Sequence, residues 1–308
     1  MSRNLSASKF NRNWKGILLF LLPALVLYGL FFIYPIVTVI FTSFTDWSNF
    51  RAMKFVGFKN YANLFKNPTF LKAIRNNFIW AMVLAFVQVP VALSMALVLA
   101  RKPKGWKLFR TVYFLPTVIS GSALAMMWKA IYNPTNGVLN AILGLFGANQ
   151  GINWLGDMDT ALVAVLVQQV FYFGYFMVII FASRLGIDDT MYEAAMIDGA
   201  NTWQQEIHVT LPMLKPVLVT AITLAMAYGF RHFESTYLLT GGGPNHVTET
   251  MGTFLYTKLS SAKWAEGNSI GTTIILLGGI MISVIRSLLS RERAVRERTV
   301  RERKGGAA

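Results

Sequence analysis

Polar and aromatic side chains recur at helical spacing inside otherwise apolar stretches of the chain. Gln168, Tyr172 and Tyr175 stand at i, i+4 and i+7, which puts them on one face of a helix. Aromatic rings can stack on the C–H face of a sugar, and amide or hydroxyl groups can bind its hydroxyls, so the set suits a neutral polyol. The same residue types also pack helices together through interhelical hydrogen bonds, and the sequence leaves both readings open. The candidate solute-binding residues are Thr117, Gly121, Gln168, Tyr172, Tyr175, Tyr228 and His232.

Two charged residues stand next to this set, within the fifth apolar stretch. Arg231 and Glu234 are spaced i, i+3, which favours either a mutual ion pair or a contact with a partner subunit. Arg231 alone would also suit an acidic sugar or a phosphate. His232 lacks the accompanying chain of acids that a proton relay needs.

The residue inventory argues against catalysis and against metal binding. The chain has no cysteine and three histidines, with no cluster of carboxylates beside them. It has no glycine-rich phosphate loop ending in Gly-Lys-Ser or Gly-Lys-Thr, so it cannot hydrolyse ATP alone. We therefore expect no catalytic residue, no metal site and no cofactor bound by this chain.

The composition is typical of an all-α integral membrane protein. Apolar residues make up 54% and charged residues 14% of the 308, with a mean hydropathy of +0.47. A soluble domain is usually about 25% charged. A bilayer core needs roughly 20 apolar residues of helix. The six stretches that meet this requirement run from about Gly16 to Phe41, Asn77 to Ala100, Phe109 to Tyr132, Thr160 to Ser183, Pro216 to Leu239 and Ser269 to Leu289.

The distribution of basic residues predicts the orientation. Nineteen of the 29 Lys and Arg residues fall on the side of the termini and nine on the other, with Arg231 inside a span. The positive-inside bias places both termini in the cytoplasm. The +15 charge is thereby explained without nucleic acid. We predict a cytoplasmic tail over 1–15, a six-helix membrane domain over 16–289, and a basic cytoplasmic tail over 290–308.

Two amphipathic segments are open to more than one interpretation. Tyr61–Ile74 mixes aromatic and aliphatic residues with lysines, which fits either a helix at the outer membrane interface or a solvated loop. The Arg-Glu-rich run Arg291–Lys304 fits either a helical extension or a frayed tail near anionic headgroups.

The loop between the fourth and fifth stretches, residues 184–215, predicts a protruding helical hairpin. Asp188 and Asp189 favour the start of a helix that runs to Asp198. Gly199 permits a sharp turn into a second helix, and Pro212 is expected to end that helix before the next span. The loop carries five carboxylates, although it lies on the positive side.

This loop resembles a known signature. Glu193-Ala194-Ala195, three residues, Gly199, nine residues, Val209, any residue, then Leu211-Pro212 is similar to the motif of permease subunits of binding-protein-dependent ABC importers. In that family the loop is the coupling helix that docks on an ATPase subunit, so we name residues 184–215 the coupling loop. The coupling residues that the resemblance implies are Glu193, Ala194, Ala195, Asp198, Gly199, Ala200, Leu211 and Pro212.

The resemblance extends along most of the chain and points to the maltose-type carbohydrate permeases. The segments that carry it are Leu22-Pro23-Ala24, Tyr34-Pro35, Ser43-Phe44-Thr45, Val56-Gly57-Phe58-Lys59-Asn60-Tyr61, Phe114-Leu115-Pro116, Asn133-Pro134, Asn153-Trp154-Leu155-Gly156 and Thr240-Gly241-Gly242-Gly243-Pro244. It implies the type I importer permease fold in a bacterial or archaeal cytoplasmic membrane. It also implies a second homologous permease, two ATPase subunits that bind ATP and Mg²⁺, and an extracytoplasmic solute-binding protein.

Three positions depart from the family pattern. Family members commonly carry Phe where this chain has Glu206, and a basic or polar residue where it has Ile207. Val209 replaces the more usual Ile. The contact of the second coupling helix with an ATPase subunit is therefore in question.

Rival functions make different demands on the sequence. A secondary carrier or channel would usually show internal repeats and several membrane-embedded acids, and Glu234 is the clear intramembrane carboxylate. A membrane enzyme would need a catalytic cluster near the interface. An importer of a non-sugar solute, such as a polyol phosphate or a peptide, stays compatible with the same motif.

Overall fold

The computed structural model describes residues 14–48, 53–147 and 151–305. Within these ranges the chain is helical, with one isolated antiparallel bridge between Thr45 and Phe55 and no named strand. The helices are α1 (Trp14–Thr42), α2 (Lys59–Lys66), α3 (Pro68–Ala100), α4 (Trp106–Thr117), α5 (Gly121–Ile131), α6 (Val138–Leu145), α7 (Ala161–Leu185), α8 (Asp189–Ile197), α9 (Thr202–Phe230), α10 (Glu234–Thr240), α11 (Met251–Ser260) and α12 (Trp264–Gly305).

Five of these helices are long and apolar enough to cross a membrane: α1, α3, α7, α9 and the part of α12 up to Ile285. The consecutive pair α4 and α5 would add a sixth span, although the two helices are bent by 101°. The all-helical prediction with about six spans is confirmed. The expectation of one continuous third helix from Phe109 to Tyr132 is wrong. Pro116 cannot donate a backbone hydrogen bond at the bend, and Ser120 Oγ accepts from the Ala123 amide to start α5.

The fifth predicted stretch differs from the structure at both ends. Pro212 does not end a helix, because α9 continues through it from Thr202 to Phe230. The far end comes earlier than Leu239: α9 stops at Phe230, and α10 begins at Glu234. Asn77 Nδ2 donates to the Phe230 carbonyl oxygen at 2.6 Å, which satisfies a backbone group released by this break.

Three prolines inside the long helices are accommodated by π-turns, whereas Pro23 and Pro216 stand in regular α-helix. A proline lacks an amide hydrogen and clashes with the carbonyl four residues earlier, and a wider turn relieves both problems. Each of the three π-turns ends two residues before a proline: Gly29–Ile33 before Pro35, Leu84–Gln88 before Pro90, and Glu206–Thr210 before Pro212. The π-turns explain why these prolines do not break their helices.

The chain divides into two compact units. The first comprises residues 1–64 and 258–272. Within it, Asn268 Nδ2 donates to Thr42 Oγ1 at 2.7 Å, and the rings of Trp47 and Trp264 stack at 5.8 Å. The apolar window of α1 is not buried inside the chain, so its side chains are free to face lipid or another subunit.

The second unit comprises residues 65–257 and 273–308 and contains the main core. Here α3 packs against α7 and α9, with Trp80, Leu84, Met177 and Leu214 buried between them. Gly229 allows α9 and α3 to approach each other closely, since a Cβ there would lie 2.7 Å from the Ala81 backbone nitrogen.

The two ambiguous amphipathic segments are both helical. Tyr61–Ile74 is divided between α2 and the first turns of α3, because Asn67 Oδ1 caps α3 by accepting from the amides of Thr69 and Phe70. Its position at a membrane interface stays a prediction. The backbone of α12 continues to Gly305, which favours the helical extension over a frayed tail.

Candidate functional site

A cavity of about 840 Å³ opens in the second unit. Its wall is built by α3, α4, α5, α7, α9, α10 and α12, so helices from distant parts of the sequence converge on it. The polar and aromatic side chains of the wall are Gln88, Thr117, Gln168, Gln169, Tyr172, Tyr175, Phe176, Tyr228, Phe230, Arg231, Glu234 and Ser235. A mixed wall of rings, amides and hydroxyls around this volume is typical of a small-molecule site.

The structure brings six of the seven candidate solute-binding residues to this wall: Thr117, Gly121, Gln168, Tyr172, Tyr175 and Tyr228. Their contact with a solute stays a prediction. His232 is not among the residues of the wall. It is 3% exposed, its ring stacks on Trp80 at 3.7 Å, and its Nε2 lies 2.7 Å from Ser235 Oγ.

The placement of His232 has a simple cause. Tyr228 and His232 are four residues apart, and their rings meet edge to face at 5.8 Å. The His232 ring is nevertheless enclosed by Trp80 and Ser235, which separate it from the cavity. We therefore leave His232 out of the proposed solute site.

Gln168 is half satisfied. Its side chain is 1% exposed, and Nε2 donates to the Tyr172 hydroxyl at 2.8 Å. Its Oε1 is buried and has no hydrogen-bond partner in the described part of the chain. A buried acceptor without a donor is costly, so Gln168 Oε1 is an uncompensated polar atom in the helix that lines the cavity.

The helix that carries Gln168 is itself interrupted. In α7 the regular turns stop at residues 171–173 and resume at Gly174. A Cβ at Gly174 would overlap the Tyr113 carbonyl oxygen, so α4 and α7 touch there through their backbones. This close contact holds Tyr172 and Tyr175 at the cavity.

Arg231 and Glu234 do not form the ion pair that their spacing suggested. Both are exposed residues of the cavity wall, and the ion pairs found among the described residues do not include them. The Glu234 carboxylate instead lies against Gly121, where a Cβ would overlap Oε1. Gly121 thus has a definite role in the wall, as the residue that leaves room for this carboxylate.

Sequence reasoning missed three polar residues of the wall, namely Gln88, Gln169 and Ser235. Gln88 Nε2 donates to the Gln169 carbonyl oxygen at 2.8 Å and thereby joins α3 to α7. The signal was present in the sequence, since a glutamine inside an apolar span is rare and faces the bundle interior.

The coupling loop has the predicted helical hairpin. Asp188 caps α8 by accepting from the Thr190 amide at 3.0 Å, and this hydrogen bond holds the pKa of the Asp188 carboxyl below its usual value. Gly199 has a φ of +80°, which favours glycine, and it turns the chain towards α9. Asn201 and Gln204 then form a capping box at the start of α9.

Two further contacts fasten α8 to its neighbours, one to α9 and one to α7. The Tyr192 hydroxyl lies 3.0 Å from Thr210 Oγ1, and both side chains are buried. The Arg184 guanidinium sits over the Tyr192 ring at 4.2 Å. The hairpin is therefore braced from within the chain.

The implied coupling residues lie mainly on the surface of this hairpin. Glu193, Ala194, Asp198, Gly199 and Pro212 are exposed, and Ala195, Ala200 and Leu211 are half-buried. The tip also exposes three large apolar side chains that sequence reasoning did not single out: Met196, Ile197 and Trp203. An apolar run in a polar loop is a signal for a docking surface.

Glu206 does not project from the hairpin. It is 5% exposed, and its Oε1 pairs with Arg101 Nη2 of the α3 C-terminus at 3.2 Å. The carboxylate that stands in place of the family's aromatic residue thus forms an ion pair within the chain. Four of the five carboxylates of the loop are exposed, and the fifth belongs to an internal ion pair.

The comparisons with known proteins agree with this fold. Residues 88–301 match the family described as the binding-protein-dependent transport system inner membrane component. The chain belongs to this family. It is therefore a multi-pass membrane protein of the ABC importer permease class.

Several relatives are similar over nearly their whole length. A probable ABC transporter permease protein, YurN, of Bacillus subtilis is 39% identical over 274 residues, which cover 87% of this chain and 93% of the relative. The osmoprotective compounds uptake permease protein GgtC of Synechocystis is 31% identical over 89% of this chain and 99% of its own. The trehalose/maltose transport system permease protein MalF of Thermococcus litoralis is 29% identical over 90% of this chain and 94% of its own.

A solved structure shares the fold. A chain of a bacterial ABC transporter involved in the import of the acidic polysaccharide alginate superposes with a TM-score of 0.79 at 20% identity. The match covers 92% of this chain and 98% of that one.

Proposed function

We propose that this chain is the permease subunit through which a sugar or oligosaccharide enters the cell, driven by ATP hydrolysis on a separate subunit. The observation that carries the proposal is the continuous helix α9. It begins at Thr202 in the coupling loop and ends at Phe230 in the cavity wall. A displacement of the loop is therefore transmitted along one helix to the residues that surround the solute.

The cavity supports a sugar as the cargo. Tyr172, Tyr175 and Tyr228 offer rings for the C–H faces of a pyranose, and Gln168 and Gln169 add amides to the same wall. The names of the relatives agree with a sugar as the solute. They include permeases for trehalose and maltose in Thermococcus litoralis, for lactose in Rhizobium radiobacter, and of a multiple sugar-binding system in Streptococcus mutans.

The coupling loop supports an external energy source. Its exposed face combines Glu193 and Asp198 with the apolar tip at Met196, Ile197 and Trp203. We propose that this face docks on an ATPase subunit that binds ATP and Mg²⁺. Closure of two such subunits would bias the permease between its outward-open and inward-open states through their different contacts.

The assembly that follows from the proposal has five components of four kinds. This chain pairs with a second, homologous permease, two ATPase subunits and an extracytoplasmic solute-binding protein. Both termini face the cytoplasm, in agreement with the excess of basic residues on their side.

The test is reconstitution of the co-expressed complex in lipid vesicles. We expect uptake of a sugar that requires both ATP and the sugar-loaded binding protein. Glu193→Lys should abolish uptake and leave membrane insertion intact, because Glu193 is exposed in α8 and supports no core contact. Asp159→Lys, the same charge change at an exposed acid outside the coupling loop, is the matched control and should retain uptake.

Two outcomes would overturn the proposal. Solute uptake without any ATPase subunit would identify a secondary carrier or channel. ATP-driven uptake of a non-sugar solute, with no response to sugars, would support the importer function and refute sugar as the transported solute.

A further inference from the structure

We propose that Arg231 and Glu234 form a charge-balanced pair in the cavity wall that selects a neutral, hydroxyl-rich solute and rejects acidic and amino-substituted ones. The inference rests on the proposed function, because it takes the cavity as the path of the cargo. It makes Arg231 and Glu234 specificity-determining residues of that path.

The first support is the position of the two residues. They flank the break between α9 and α10, with Arg231 directly after the last residue of α9 and Glu234 as the first residue of α10. Both line the cavity and are exposed. Charged side chains between the helices of a membrane protein are rare and usually face water-filled cavities.

The second support is that the two charges do not neutralise each other directly. The ion pairs and hydrogen bonds found between described residues include no bond between them. The Glu234 carboxylate is accommodated by the missing side chain of Gly121 and receives no hydrogen bond there. Both groups are therefore available to a molecule in the cavity.

The third support is the balance of charge. Among the described residues that line the cavity, Arg231 and Glu234 carry the only formal charges, one of each sign. A solute with a net charge would leave the cavity with a net charge, which is electrostatically unfavourable. A neutral solute avoids this cost.

Hydroxyl groups satisfy both charged side chains at once. A carboxylate can only accept hydrogen bonds, whereas a guanidinium can only donate them. A sugar hydroxyl does both, so neighbouring hydroxyls can donate to Glu234 and accept from Arg231. Hydrogen bonds to charged groups are stronger than those between neutral groups.

The test is solute binding to the purified complex by equilibrium dialysis. The binding protein is left out, so that its own selectivity does not enter. Three labelled disaccharides with the same ring skeleton are compared: a neutral one, its uronic acid counterpart and its amino-sugar counterpart. The wild-type complex should bind the neutral sugar at least about tenfold more tightly than either charged one.

The single variants should shift selectivity in opposite directions. Glu234→Gln leaves the positive Arg231 and should raise the uronate-to-neutral affinity ratio about tenfold, whereas Arg231→Gln should raise the amino-sugar ratio by a similar factor. The double variant Arg231→Gln with Glu234→Gln should return both ratios towards the wild-type values. Glu234→Asp keeps the charge and serves as the control, with unchanged ratios.

The outcomes are distinguishable from those of the proposed function. If both single variants lost affinity for all three sugars equally, with unchanged charged-to-neutral affinity ratios, the two residues would have a merely structural role and the inference would be overturned. Preference of the wild-type complex for a charged sugar would overturn it as well. Loss of ATP-driven sugar uptake by the wild-type complex, in contrast, concerns the proposed function alone.

Discussion

The coupling loop and the cavity differ in what their polar groups contact. In the loop, Asp188, Asn201 and Tyr192 have partners within the chain, and Glu206 Oε1 is paired with Arg101, while Glu206 Oε2 and Arg184 Nε have no hydrogen-bond partner among the described residues. In the cavity, Gln168 Oε1 lacks a partner, and Arg231 and Glu234 do not pair with each other. Polar groups that are satisfied internally hold a segment in one conformation, whereas unsatisfied groups are free to bind something else.

The difference agrees with the two proposed roles. A segment that transmits a conformational change has to keep its own conformation, and hydrogen bonds within the chain stabilise that conformation. A solute site has to exchange water for solute, so its donors and acceptors need to be accessible. The predictions below test this division, first by breaking the braces of the loop and then by closing the open groups of the cavity.

The largest effect should come from Gly199→Pro in the turn of the loop. The φ of +80° is inaccessible to proline, and the Gly199 amide that donates to the Met196 carbonyl would be lost. A cost of about 3 kcal/mol corresponds to a fall in uptake of about 100-fold. Vesicle uptake at equal protein content measures it. Gly199→Asn, which tolerates positive φ, should retain most activity, and equal losses in both variants would contradict the turn argument.

The next effect should come from Arg101→Ala, which leaves Glu206 buried without its cation. Because the Arg101 side chain is half exposed, we expect a loss of about 1–2 kcal/mol rather than the full cost of breaking a buried pair. Thermal unfolding of the purified complex measures the change, with Lys104→Ala as the neutral control.

A double-mutant cycle sharpens this measurement. Adding Glu206→Leu to Arg101→Ala removes the stranded carboxylate, so the double variant should be more stable than the sum of the two single losses predicts. Simple additivity would mean that the ion pair does not brace the loop.

A smaller effect should separate Gln168 from Gln88 within the cavity wall. Gln168→Met removes the unpaired Oε1 together with the Nε2 hydrogen bond to Tyr172, so the two effects on stability should largely cancel. Sugar affinity should fall roughly tenfold, because Tyr172 in the cavity wall loses the group that holds its hydroxyl. Gln88→Met removes a hydrogen bond between α3 and α7, so stability should fall by about 1 kcal/mol instead. Equilibrium dialysis and thermal unfolding, run on both variants, distinguish the two roles. The same profile for both would refute the distinction between open and satisfied groups.

The smallest effect should follow the cap of α8. The pKa of Asp188 is lowered in the folded chain by the Thr190 amide, so the cap is complete above the usual aspartate pKa and is lost as pH falls through the lowered value. Asp188→Ala should remove this dependence. Hydrogen exchange of the amides in the first turn of α8 measures this pH dependence, after correction for the intrinsic pH dependence of exchange. If the corrected exchange rate of the wild type did not change with pH, the result would argue against the cap.

The sequence predicted what depends on neighbours in the chain. The start of α8 at Asp189 after the Asp188 cap, its end near Asp198 and the turn at Gly199 all follow from local chemistry, and the structure confirms them. The number of spans follows from hydropathy alone. These features require no knowledge of which helix packs against which.

The features that sequence reasoning missed depend on distant partners. The end of α9 at Phe230 is supported by Asn77, and the burial of Glu206 depends on Arg101, which is 105 positions away. The expected Arg231–Glu234 ion pair came from assuming a straight helix through residues 231–233, and the burial of His232 depends on Trp80 of α3. A single chain offers no local signal for such tertiary contacts.

The π-turn at Glu206–Thr210 has a consequence for how the two regions are aligned. A π-turn is equivalent to one residue inserted into a helix, and each residue advances a helix by about 100°. The inserted residue therefore sets the rotational phase between the coupling hairpin and the cavity end of α9. Deleting one residue there would keep the helix and every side chain beyond it, yet would point the hairpin about 100° away from its present bearing. In the proposed assembly, the direction in which the hairpin would meet an ATPase subunit is therefore set by the phase of a single helix as well as by the chemistry of the docking residues.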